Sequence, residues 1–134
     1  MVLFLFLTHL GLGIFFTLVI VSREAGVKFF RFNSGLAASL IAGALVSRPP
    51  GPLSATGTIA LAALAVSEIT IVMYWATVGR TLASIRPVLV ATGCAAGAVA
   101  LIAQAIAATS PGANGFTVLT VASFLSSAAL LGGT

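Results

Sequence analysis

Glu68 stands near the middle of a largely apolar run from Ala55 to Gly79, and a carboxyl in such a place has few options. Ionised at the centre of a bilayer it costs about 2.5–3.5 kcal/mol or more, so it is expected to be protonated or held by a partner. Two chemistries stay open. One is proton exchange coupled to transport; the other is a hydrogen bond to another helix or to a neighbouring subunit. Beside it, Ser67, Thr70, Tyr74 and Thr77 recur at helical spacing, with Ala60 and Ala63 extending the row. A small, polar face of this kind lets helix backbones approach closely and hydroxyls bond across. It would also suit a narrow hydrated path, but a packing seam is the simpler reading.

His9 is the single histidine of the chain. In a helix spanning residues 2–22 it falls about 4–5 Å outward of the midpoint, a depth that permits a buried His9–Glu68 pair if their helices touch. Most simply it is a packing histidine satisfied within the bundle; alternatively its imidazole bonds a partner subunit, or ligates the magnesium of a chlorophyll-type pigment or a haem iron. A bis-histidine haem held within this chain alone is excluded. Gln104 adds an isolated amide, expected to make an interhelical bond. Cys94, the one cysteine, excludes an internal disulfide and any multi-thiolate metal site and reads as a small packing residue. No nucleophile has a plausible base, there is no carboxylate pair and no phosphate loop. The chain is not expected to be an enzyme, and no metal site is expected beyond the axial-ligand option at His9.

Those residues must be positioned by elements that live in lipid. Only 6% of the 134 residues are charged while 60% are hydrophobic, and the mean hydropathy is +1.22. A water-soluble domain carries about a quarter charged residues. The composition therefore points to an all-α, polytopic membrane protein, a single transmembrane domain of about five helices: 2–22, 29–47 (starting at Phe29 or Asn33), 55–79, 87–108 and 116–131. None shows the alternating period of barrel strands. Arg48-Pro49-Pro50-Gly51-Pro52 cannot continue a helix, and Ser110-Pro111-Gly112-Ala113-Asn114-Gly115 is a turn-forming cluster. Pro87 suits a first helical turn, where its missing N–H leaves no gap. Met1-Val2 leads straight into Leu3-Phe4-Leu5-Phe6 with no basic flank, so the first segment is expected to be a retained span.

Basic residues set the expected orientation. The first connection carries Arg23, Lys28 and Arg31 and the third Arg80 and Arg86, against Arg48 alone in the second. The positive-inside rule then puts the N-terminus outside and the C-terminus in the cytoplasm, with these cations anchoring the inner interface among anionic headgroups. Phe29, Phe30, Phe32, Tyr74 and Trp75 gather at the same level, where aromatic rings are favoured. The stretch from Arg23 to Phe32 reads as a short interfacial helix. Six scattered cations form no phosphate-tracking stripe, so the net charge of +4 does not point to nucleic acid.

Small-residue ladders are the most repeated signal. Gly93 and Gly97 with Ala96 and Ala100 give the fourth helix a close-packing groove; Gly35, Ser39 and Gly43 form another on the second; Ser123, Ser126, Ser127 and Ala128 serve the fifth.

Many packing faces and no independent chemistry lead to one main expectation. It is a small, non-catalytic accessory subunit of a larger membrane complex, of electron-transfer or photosynthetic type, in a bacterial inner membrane. Such a subunit packs between larger subunits, structural lipids or pigments. The alternatives are a small proton-coupled transporter or channel centred on Glu68, and a pigment- or haem-binding subunit using His9.

Overall fold

The computed structural model describes residues 2–21, 23–52, 54–80, 84–108 and 114–133, the side chains of residues 23, 114–119 and 131–133 excepted. They form five α-helices: α1 (Val2–Ile20), α2 (Gly26–Val46), α3 (Ala55–Thr77), α4 (Arg86–Ala108) and α5 (Asn114–Gly133), with one 3-10 turn at Arg23–Ala25. The first four are long and apolar enough to cross a bilayer, and α5 adds a shorter apolar stretch, Thr120–Leu130. This is the architecture of a helical integral membrane protein. Lipid offers no partner to a bare amide, and a helix satisfies its backbone within itself.

α1 runs antiparallel to α2 and to α4, and α3 antiparallel to α4. α1 packs on α2, α2 on α3 and α3 on α4, while α5 lies against both α1 and α4, and α1 also touches α4 directly. The first four helices thus close a ring, and α5 fills the groove along the α1–α4 seam. Leu12 and Phe15 of α1, Ile41 of α2, Leu64 and Ile71 of α3 and Leu101 of α4 are fully buried along the axis. Around them Val2, Ile20, Phe32, Val46, Ile69, Val88 and Leu130 face outward. Apolar residues on both faces are expected where the surrounding solvent is hydrocarbon.

The helix ends have local causes. α2 stops before the Arg48–Pro52 run, where Ser47 closes the last turn by donating its N–H to the Gly43 carbonyl and its Oγ to Gly43 and Ala44. α3 starts at Ser54, whose Oγ accepts the Gly57 N–H at 3.1 Å, an N-cap. It ends at Val78, and Gly79 takes φ +87, the left-handed step that closes many helices.

One expected element takes a different form. The separate interfacial helix from Arg23 to Phe32 is absent. Only Arg23–Ala25 stands apart, as a 3-10 turn, and α2 begins at Gly26, three residues before the expected start at Phe29. Gly26, at φ +83, makes the bend, and from Val27 onward no residue breaks the hydrogen-bond ladder. Of the other limits, those at Val2, Ala55 and Ala108 coincide with expectation and the rest differ by one or two residues: α1 ends at Ile20 rather than 22, α2 at Val46 rather than 47, α3 at Thr77 rather than 79, α4 starts at Arg86 rather than 87, and α5 spans 114–133 rather than 116–131.

Candidate functional site

The polar residues of the span interiors do not converge. Ser67, fully buried, donates its Oγ to the Gly93 carbonyl across the α3–α4 seam at 3.0 Å. A Cβ on Gly93 would lie 2.8 Å from Phe15 Cε1, and one on Gly97 2.8 Å from Leu12 Cδ2, so these two glycines let α4 meet α1 on its other side. Thr70 turns its hydroxyl back to the Val66 carbonyl at 2.7 Å, and Thr77 to Tyr74 at 3.0 Å. Such bonds satisfy a hydroxyl inside its own helix and leave no open polar row. Tyr74 is buried, its ring edge-on to Phe15 at 5.9 Å.

His9 is engaged elsewhere. Its Nδ1 lies 2.6 Å from the Leu5 carbonyl, which assigns the proton to that nitrogen, and its ring meets Phe124 of α5 edge-on at 4.7 Å. At 5% exposure the imidazole is buried. The pair expected between His9 and Glu68 is not formed. Their depths match, but the His9 ring turns to Phe124 of α5, whereas α3 meets α1 through Tyr74 against Phe15 and carries Glu68 on another flank, beside Ile69 and Val72.

Glu68 departs from this satisfaction. It is partly buried and sits between the seam residues Leu64, Ser67 and Ile71 and the outward face of Ile69, Val72 and Met73. Its Oε2 is shielded and has no hydrogen-bond partner among the described residues. The residue lies about 3 Å from the midpoint of α3 by helical rise, the depth where an unpaired carboxyl is most costly.

Gln104, 7% exposed, likewise has both Nε2 and Oε1 shielded and unpartnered, so the interhelical bond expected of it is not made. It lines a cavity of about 310 Å³ at the proline-rich end of the bundle, with Phe4 and Leu5 of α1, Leu61 of α3 and Arg48 of the connecting loop. No signal in the sequence joins Arg48 to Gln104; the loop Arg48–Pro52 lines the same cavity.

The opposite end carries the cations. Arg31 lies over the Trp75 ring at 5.3 Å, within cation–π range, and Lys28 and Arg80 are exposed. Arg86 does more than mark an interface. Its Nη2 donates to the Arg80 carbonyl at 2.7 Å and lies 3.4 Å from the Thr77 carbonyl, tying the start of α4 to the end of α3. The side chain of Arg23 lies outside the described residues. Two clefts open here, one along α2 and α3 beside Lys28, Arg31 and Trp75, the other beside Tyr74, Arg86 and Cys94. Neither is lined by Glu68.

The expected ladder on α2 divides. Gly35 faces α3, where an added Cβ would meet Trp75 Nε1 at 2.8 Å, while Gly43 faces Leu7 of α1. Ser39 is exposed and bonds only its own Gly35 carbonyl. Residues four apart drift around a helix, so two steps carry the ladder from one neighbour to the other. On α5, Ala128 is fully buried, whereas Ser126 and Ser127 bond the carbonyls of Ser123 and Phe124.

Comparison of the chain with protein-family models, with curated proteins and with solved structures finds no match.

Proposed function

We propose that this chain is a small, non-catalytic subunit of a larger membrane assembly, and that Glu68 is its point of attachment. The observation carrying this reading is the shielded, unpartnered Oε2 of Glu68 on a flank of α3 that the chain covers only in part. A helix from another subunit that offers one donor to the Glu68 carboxyl, with a turn of the side chain that uncovers Oε2, would remove the cost of that group and cover Val72 and Met73 beside it. The hydroxyls of Ser67, Thr70 and Thr77 are already spent on backbone carbonyls, and Glu68 opens into none of the three clefts described. Both facts favour association over conduction. The bacterial inner membrane, an outside N-terminus and a parent complex of electron-transfer or photosynthetic type belong to the same proposal.

Extraction of the native membrane in mild detergent tests it. The wild-type chain is expected to migrate with larger integral proteins, Glu68→Gln to retain them through its remaining hydrogen-bonding capacity, and Glu68→Leu to separate. A wild-type chain that migrates alone, or an assembly indifferent to Glu68→Leu, overturns the reading. So does proton or solute flux in liposomes that Glu68→Gln abolishes.

A further inference from the structure

The groove between α2 and α3 at the cationic end borders the Glu68 flank only at Val72, and its chemistry is independent of Glu68. Its α2 side carries the small residues Gly35, Ala38 and Ser39, and its α3 side Val72 and Trp75. The volume is about 720 Å³, the scale of a single bound small molecule. Lys28 and Arg31 line its outer end, and no acidic residue does among the described ones. Arg31 is held over the Trp75 ring at 5.3 Å. Neither its guanidinium nor the Lys28 ammonium donates a hydrogen bond to any described residue, so their donors stay open. From Lys28 to Ser39 the lining rises about 16 Å, close to the ~15 Å depth of one leaflet's hydrocarbon.

We propose that this groove holds one anionic phospholipid, with its phosphodiester between Lys28 and Arg31 and one acyl chain along the Gly35–Ser39 side. Arginine pairs well with phosphate oxygens through its fork of donors, and lysine adds a point charge. Charge and length together select the occupant. A zwitterionic lipid brings an ammonium group to the same two cations. A free phosphate leaves the apolar length of the groove uncovered. Phosphatidylglycerol, whose headgroup is uncharged beyond the phosphate, meets both requirements. Such a site differs from the general attraction of cations to an anionic surface, because it uses Lys28 and Arg31 and not Arg80. Arg80 is exposed at the same end but lies outside the groove.

Trp75 is the chain's single tryptophan and lines the groove, so its fluorescence reports the occupant. The full chain is reconstituted in vesicles of phosphatidylcholine and phosphatidylglycerol, with bromine on the acyl chains of one lipid at a time. Bromine quenches the indole only at close range. Phosphatidylglycerol is expected to be preferred at Trp75 about tenfold, and Lys28→Gln and Arg31→Gln should each lower that preference about fivefold, the worth of one basic residue at an anionic surface. Arg80→Gln should leave it unchanged. All three side chains are exposed, so the fold is expected to persist. Quenching is taken relative to the unbrominated lipid, which removes any change in indole yield when Arg31 is replaced. Equal quenching by the two lipids overturns the inference, as does a preference that survives both Lys28→Gln and Arg31→Gln. A preference that falls as far in Arg80→Gln as in Lys28→Gln also overturns it, and marks a diffuse surface potential without a site.

Discussion

Ser67 and Glu68 are adjacent in the chain and opposite in circumstance. Ser67 points into the α3–α4 seam and finds the Gly93 carbonyl; Glu68, one residue and 100° further round the helix, finds nothing. Interhelical hydrogen bonds in membranes average about 0.6 kcal/mol and reach about 1.7 kcal/mol. Ser67→Ala is therefore expected to lower stability by about that range in a denaturing-detergent titration, without altering oligomeric state. A loss well above 2 kcal/mol would mean that Ser67 supports more than this one bond. At this scale the sequence revealed the presence of intramembrane polar groups but not their partners. His9 and Glu68 matched in depth, yet depth is one coordinate of three, and the other two depend on which helices are neighbours.

Between helices, backbone proximity decides which small residues matter. A Cβ on Gly11 would fall 2.7 Å from Ile41 Cγ1 and 3.1 Å from the Ala37 carbonyl oxygen, and the carbonyl belongs to a helix that cannot yield locally. On Gly97 the nearest atom is the terminal Cδ2 of Leu12, the flexible end of a side chain. Gly11→Ala is accordingly expected to cost about 1–3 kcal/mol, the usual range for overpacking, and Gly97→Ala clearly less, both measured by the same titration. Equal losses would contradict this geometry. Gly11 escaped the reading of the sequence because no second small residue marks its face: Leu7 and Phe15 stand four residues to either side. Conversely, the Gly35–Ser39–Gly43 pattern looked like one groove and serves two neighbours. Helix ends were the most legible feature, since proline and glycine act through local backbone sterics. The continuity of α2 through Lys28 and Arg31 was not, because charge suggested a boundary that the backbone does not make.

Taken as a whole, the molecule is a ring of four antiparallel helices with a fifth laid on one seam, cationic at one end and proline-rich at the other. Five of its six Lys and Arg residues fall at the first end, in its connections or in the helix turns beside them, and the positive-inside rule assigns that end to the cytoplasm. With Cys94 replaced by alanine, a cysteine at Gly51 should react with an impermeant maleimide on intact cells, and one at Lys28 only after lysis. The reverse pattern would invert the orientation. The membrane class was readable from composition, because a surface that lacks charge has only lipid to face. The order of packing was not, since every face is apolar and none declares its neighbour.

The same ambiguity makes the flank of α3 the place to question. A photo-crosslinking residue at Val72, one turn from Glu68 and 43% exposed, reports what lies against that flank in the native membrane. Attachment through Glu68 predicts a discrete adduct with another integral protein on illumination. Adducts with lipid alone would contradict it.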